Sequence, residues 1–202
     1  MTLPEQLFPA TLMPDRDWWL ALWPDPDATI AVLGIDAGMT VVDLCCGDGY
    51  LTAAIARRVA RDSATGSVIG VDLDPDLLQQ AMEACAGADH CTWIRGNAMD
   101  LDQLVTARVD CVLIANTFHG VPDPAGLATA VASILRPGGR FIVVNWHALP
   151  RERTPVLGQP RGPQSGMRMA PPVLQGIVEP CGFELDAVVE LPPYHYGAVF
   201  VA

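Results

Sequence analysis

VVDLCCGDGYLT, residues 41–52, decides how the rest of the chain is read. An apolar, β-branched start leads through a glycine-rich turn directly into YLTAAIARRVARD (50–62). There apolar residues recur at helical spacing, and the closing arginines suit a helix C-terminus. A glycine-rich turn between strand and helix lets the backbone approach a ligand lying across the strand ends. A dinucleotide fingerprint needs a third glycine for close helix packing, and Thr52 stands in that position. The turn also carries Asp43 and Asp48, which repel a pyrophosphate and attract a cation.

Outward from this turn, short apolar runs recur at VIGVD (68–72), CTWIR (91–95), CVLIAN (111–116) and FIVVNW (141–146), with helix-like segments between them. That alternation predicts a parallel sheet with crossover helices. Asp74 before Pro75 reads as the N-cap of PDLLQQAMEAC (75–85). PDPAGLATAVASIL (122–135) predicts another helix, stopped by the breaker cluster Arg136-Pro137-Gly138-Gly139, and a short one lies within 101–107. After a helix at 171–182, FELDAVVEL (183–191) and YHYGAVFVA (194–202) are separated only by Pro192 and Pro193. So short a link joins antiparallel strands. The expected fold is α/β: a Rossmann-like seven-stranded sheet, mostly parallel with one antiparallel C-terminal strand, and helices on both faces.

The 202 residues, 50% hydrophobic and 17% charged, suit one domain. Within it, 1–34 reads as an N-terminal helical cap with a Trp-rich helix, and 35–147 as the cofactor-binding core. Residues 148–170 read as an Arg/Pro/Gly-rich lid loop, and 171–202 as the C-terminal helix and hairpin. All twelve basic residues are arginine, which excludes a lysine Schiff base and pyridoxal chemistry. A net charge of -11 argues against nucleic acid and anionic membranes as partners. The lid runs against that charge: Arg151, Arg153, Arg161 and Arg168 against Glu152 leave it at +3 and the remainder of the chain at -14. The six cysteines form no C-x-x-C pair, so no metal site is expected, and most read as small core residues. The N-terminus lacks a charged n-region and a long apolar h-region, and no run is long enough to span a membrane. The expected setting is cytoplasmic, as a monomer or homodimer.

Along the strand ends, Asp43 and Asp48 suit a cofactor bearing an ammonium and a sulfonium. Asp72, closing the second strand, is placed to accept both hydroxyls of an adenosine ribose. Asn97, Ala98 and Met99 follow the third strand and can read an adenine edge, while Asn116 and Thr117 close the fourth beneath the amino-acid part. VVDLCCGDG, VIGVDLDP, GNAMDL, DCVLIANTFHGVPDP and ILRPGGRFIVVNWH, in this order, resemble the successive motifs of class I S-adenosylmethionine-dependent methyltransferases. The nearest likeness is to the small-molecule branch of ubiquinone/menaquinone-biosynthesis type, over roughly residues 35–202. The resemblance implies S-adenosylmethionine contacts at Asp43, Gly47, Gly49, Asp72, Leu73, Asn97, Ala98 and Asn116, with Cys45 in the same turn.

Methyl transfer from a sulfonium asks the protein for alignment, desolvation and, with a protonated nucleophile, a base. His119 after the fourth strand is the first candidate, followed by His147 after the fifth and Tyr194 at the start of the antiparallel strand. Tyr194 and Tyr196 are expected on one face, and Trp18 and Trp19 over the cofactor pocket. The arginine-rich loop suggests an anionic small-molecule substrate. Two alternatives stand: a catalytically silent S-adenosylmethionine-binding accessory protein, and a nucleotide-linked oxidoreductase, which Thr52 and the acidic turn disfavour.

Overall fold

The computed structural model describes residues 8, 9 and 11–202. The rest of the proposed N-terminal cap lies outside the described residues. Seven strands form one sheet: β1 (Thr40–Leu44), β2 (Ser67–Asp72), β3 (Cys91–Arg95), β4 (Val109–Ala115), β5 (Leu135–Trp146), β6 (Glu184–Leu191) and β7 (His195–Val201). Their spatial order is β3-β2-β1-β4-β5-β7-β6. The first five pair in parallel, and β7 runs antiparallel to both β5 and β6. The expected fold class therefore holds, with β7 inserted beside β5 and β6 at the edge. The strand order reverses between β1 and β4, where parallel α/β sheets open a crevice at their carboxyl ends.

Among the described residues, seven α-helices accompany the sheet: α1 (Arg16–Leu22), α2 (Pro26–Val32), α3 (Tyr50–Val59), α4 (Pro75–Ala84), α5 (Leu101–Leu104), α6 (Pro124–Ile134) and α7 (Pro171–Val178). Because successive strand residues alternate faces, β1 sends Val42 and Leu44 to one core and Val41 to the other. The first core is closed by Leu101, Leu127, Val131, Leu174 and Val178 of α5, α6 and α7. The second is closed by Trp19, Leu22, Ile30, Ala54 and Ile55 of α1, α2 and α3.

Three helices start with the same Asp-Pro device. Asp25, Asp74 and Asp123 each accept a backbone N–H of the first turn, from Ala28 at 3.0 Å, Asp76 at 2.8 Å and Gly126 at 2.9 Å. The proline that follows sits where its missing N–H costs nothing. At the breaker cluster the structure departs from expectation. Leu135 already pairs with Val109 and Arg140 with Cys111, so residues 136–139 bulge out against Asp110. The cluster thus bends β5 and does not precede it, with Gly138 at φ +76° taking the left-handed turn.

Residues 148–170 are built around one buried guanidinium. Arg168 donates from Nε to Pro163 O (3.1 Å), from Nη1 to Leu149 O (3.1 Å), and from Nη2 to Thr154 Oγ1 (2.9 Å) and Arg161 O (2.8 Å). Burial and the neighbouring charge of Arg151 push its pKa below the usual arginine range. Arg168 is therefore the internal frame of the segment, not one of its outward charges. Arg168→Ala strands several carbonyls and is expected to destabilise the protein by about 2 kcal/mol, read as a lower urea midpoint at unchanged m-value.

Candidate active site

A cavity of about 740 Å³ opens at the carboxyl ends of the parallel strands, within the size range of small-ligand sites. Its lining joins Asp43, Cys45, Gly47, Asp72, Leu73, Asn97, Ala98, Asn116 and His119. All of these were singled out from sequence, and they are drawn from the ends of β1 to β4.

Asp43 lies in the floor, 3% exposed, with Oδ2 accepting a hydrogen bond from Thr52 Oγ1 at 2.6 Å. Thr52, where a dinucleotide site has glycine, instead orients the carboxylate. Asp72 accepts the Gly47 N–H on Oδ2 (2.8 Å) and the Asp74 N–H on Oδ1 (3.0 Å), which ties the β1 and β2 turns together. Each carboxylate oxygen keeps a lone pair for a ligand hydroxyl. Burial raises its pKa, opposed by these backbone N–H groups. Asn116 holds a left-handed conformation, φ +56°, and its buried Oδ1 has no hydrogen-bond partner. A buried carbonyl oxygen left open in a cavity wall calls for a donor. Asn97 Oδ1 accepts the Met99 N–H at 3.0 Å, so the side chain caps its turn.

Cys45 (φ 61°) and Gly47 (φ 57°) both adopt left-handed backbone, which folds the turn over the strand end. The Cys45 and Cys46 thiols are pushed up by burial and by the charges of Asp43 and Asp72, which keeps them protonated. Gly49 is absent from the lining. Its role is packing: a Cβ there would meet Ala81 Cα at 2.7 Å, so glycine lets α4 lie against the start of α3.

Two predicted catalytic residues are not brought to the cavity. β5 alternates its side chains, so when Trp146 faces the cavity, His147 turns to the opposite side. There His147 Nε2 lies 2.9 Å from Glu190 Oε2 and its ring lies beside Tyr196. Tyr194 sits in the turn before β7, stacked on Trp146 with its hydroxyl donating to Pro155 O at 3.1 Å. Tyr196 packs in the core on the other side of the sheet and donates to Met169 O, so the two tyrosines do not share a face. Arg153 is exposed and outside the lining, whereas Arg151 and Arg161 are part of it.

The cavity residue that sequence reasoning missed is aromatic. Trp23 joins the expected Trp18 and Trp19, and Trp146 at the end of β5, in one wall. The Trp19 and Trp23 rings stack at 5.6 Å and 6°, and Trp18 lies 6.3 Å from Trp146. Behind the wall His195 is fully buried between Trp23 (4.8 Å) and Trp146 (4.1 Å), and burial holds its pKa well below the ordinary imidazole value. Tyr50 anchors α1 to the turn by donating to Trp23 O at 2.5 Å. Arg16 joins the same corner, 3.4 Å from Asp48.

A parallel α/β sheet with a glycine turn after β1, an acid closing β2 and an open amide after β4 defines a nucleoside-cofactor-dependent enzyme fold of the methyltransferase type. Residues 41–139 match the profile of the family described as "Methyltransferase domain". Over this span the chain carries a class I S-adenosylmethionine-dependent methyltransferase domain, distantly homologous to the enzymes of menaquinone and ubiquinone biosynthesis. It is 30% identical over 110 residues to a demethylmenaquinone methyltransferase of Staphylococcus aureus, covering 54% of this chain and 44% of that protein. Over 137 residues it is 28% identical to a 2-phytyl-1,4-naphtoquinone methyltransferase of Trichormus variabilis, covering 64% and 57%. The chain thus spans about half the length of these curated relatives. Among solved structures, a SAM-dependent methyltransferase from Aquifex aeolicus superposes with a TM-score of 0.76 over 93% of this chain and 94% of that one. At 21% identity this likeness speaks for the fold.

The residues present fit the family's methyl donor. Asp72 would accept ribose hydroxyls, the open Asn116 Oδ1 would accept an ammonium, and an ionised Asp43 would supply negative charge in the floor. Burial, with a smaller push from the charge of Asp72, raises the Asp43 pKa to about 7 against the pull of Thr52. Its folded pKa lies above the unfolded value, so between these two values the native state holds a proton that the unfolded state has released. Stability contributed by this group is therefore present at low pH and is lost as pH rises to about 7, with no further change above. A cationic ligand favours the ionised form, so S-adenosylmethionine affinity is expected to rise with pH up to about 7 and then level off. Calorimetry in buffers of different ionisation enthalpy should record proton release at pH about 6; affinity that does not change with pH contradicts this assignment.

Proposed function

We propose that this chain transfers a methyl group from S-adenosylmethionine to a small anionic acceptor. The observation that carries the reading is one cavity whose lining joins acids, tryptophans and arginines. Asp43, Asp48, Asp72 and Asp74 come from the ends of β1 and β2 and the turns after them, and Arg151 and Arg161 from residues 148–170. The donor supplies an activated methyl group for in-line displacement. Asp72 holds its ribose, Asn116 its ammonium, and the turn at Gly47 admits it close to the backbone. α1, Trp23 and residues of 148–170 wall the cavity and exclude water, which strengthens the attraction between a cationic donor and an anionic acceptor. His119, 8% exposed and lining the cavity after β4, orients the acceptor or takes its proton.

Support for a small molecule comes from the size of the cavity and from relatives whose names specify quinone-type substrates. The test is binding followed by turnover. S-adenosylhomocysteine should bind and compete with S-adenosylmethionine, NADH should not bind, and S-adenosylhomocysteine and the methylated acceptor should accumulate together when an acceptor is supplied. Substituting His119 with alanine should lower kcat with cofactor affinity unchanged, by roughly the hundredfold typical of a lost acid–base group. Tight cofactor binding without turnover on any acceptor supports the silent accessory reading instead.

A further inference from the structure

The tryptophan cluster at one end of the cavity lining, with the arginines against it, narrows the acceptor further. Four of the chain's five tryptophans, Trp18, Trp19, Trp23 and Trp146, line it together. Flat, polarisable walls of this kind suit a planar ring, which gains stacking beyond area burial. Two guanidinium groups stand at the edge of these walls. Arg161 lies over the Trp18 ring at 5.4 Å, and Arg151, held by its Nε bond to Gly162 O (3.1 Å), lines the same space.

Among the described residues, Arg16, Arg57, Arg58, Arg61 and Arg136 are each paired with an aspartate, whereas no carboxylate pairs with Arg151, Arg161 or Arg168. Arg168, its donors committed to the backbone and Thr154, lies over Trp146 at 4.8 Å and adds positive charge behind the wall. An aromatic box alone also suits a quaternary ammonium, but three guanidinium groups at this end repel one. A guanidinium stacked on an indole keeps its N–H edge in the ring plane, where it meets a carboxylate in two parallel bonds.

We propose that the tryptophan-lined end of the cavity is a subsite for a planar aromatic acid, its ring stacked on the tryptophan wall and its carboxylate held by Arg161 and Arg151. This rests on reading the cavity as a methyltransferase site, and it separates this chain's acceptor from the uncharged quinones that its relatives' names specify. The sequence position of Arg168 makes it the positioning residue: by gathering the carbonyls of Leu149, Arg161 and Pro163 it sets Arg161 against Trp18.

The test uses three probes of matched size on the full chain: 2-naphthoate (planar, anionic), 2-naphthamide (planar, uncharged) and decahydronaphthalene-2-carboxylate (anionic, not planar). Calorimetry is run with and without saturating S-adenosylhomocysteine. 2-Naphthoate is expected to bind roughly ten- to a hundredfold tighter than either comparison probe, as charge-assisted hydrogen bonds predict. Arg161→Gln should bring it down to the level of the amide, with S-adenosylhomocysteine affinity unchanged, and Arg161→Lys should restore part of the preference. Loss of a merely structural role weakens all three probes alike. Amide binding as tight as the acid, or equal binding of the saturated acid, overturns the proposal, and both outcomes are read on the unsubstituted protein. If S-adenosylhomocysteine fails to bind while 2-naphthoate retains its preference, the methyltransferase reading fails and the subsite stands.

Discussion

Asp72→Ala is expected to weaken S-adenosylhomocysteine binding about a hundredfold. The side chain is 8% exposed, and its two oxygens already accept the N–H groups of Gly47 and Asp74. Those bonds aim the remaining lone pairs into the cavity, where a ribose can donate both hydroxyls. Hydrogen bonds to a charged group are worth about 1.5–3 kcal/mol each, and losing two of them gives a factor of this size even after partial compensation by water. The substitution also releases the Gly47 N–H, so the turn loses its tie to β2 and some global stability falls with it. Asp72→Asn separates the two effects, because it keeps the shape and one acceptor while removing the charge. Calorimetric affinities unchanged in both variants would remove Asp72 from the cofactor site.

Gly49→Val is expected to cost on the order of 4 kcal/mol of folding stability, the largest effect of a single substitution foreseen here. Two penalties coincide. The backbone is left-handed, φ +79°, which a β-branched residue resists, and the new Cβ would stand 2.7 Å from Ala81 Cα and 2.9 Å from Ala81 Cβ. Backbone cannot step aside as a flexible side chain can, so α4 has to shift against α3. Gly87→Ala isolates the first penalty: φ is +88° there, and nothing lies within 4 Å of its Cβ position. The expected cost at Gly87 is about 1 kcal/mol, and Gly49→Ala should fall between the two. Equal urea midpoints for Gly49→Ala and Gly87→Ala would show that Ala81 exerts no steric control.

The donor half of the site was legible from the chain because its residues follow strand ends in order. A parallel sheet brings those ends to one rim, so Asp43, Asp72, Asn97, Ala98 and Asn116 needed only the correct strand assignment to converge. Gly49 was read as a contact for the cofactor, since a glycine turn signals a close approach without saying what approaches. Here the neighbour is a helix.

The acceptor half was legible only in part. His147 and Tyr194 lie near the rim in sequence, but strand alternation gives the cavity face to Trp146, and Tyr194 occupies a turn where the two-residue period no longer applies. Arg168 looked like one of four equivalent charges of the loop, and nothing in the local sequence singled out Trp23. Their roles depend on which carbonyls the loop folds around and where α1 docks, neither of which is encoded in local periodicity.

By itself, then, the sequence determined the α/β class, the Asp-Pro helix starts and a turn suited to a cationic nucleoside cofactor, because these follow from residue periods and turn chemistry within about fifteen neighbours. Tertiary structure alone decided which side chains share the cavity: acids from β1 and β2, tryptophans from α1 and β5, and arginines of the loop. Those groups are far apart along the chain, and only the packing of α1 and the loop over the sheet brings their charges and rings within reach of a single ligand.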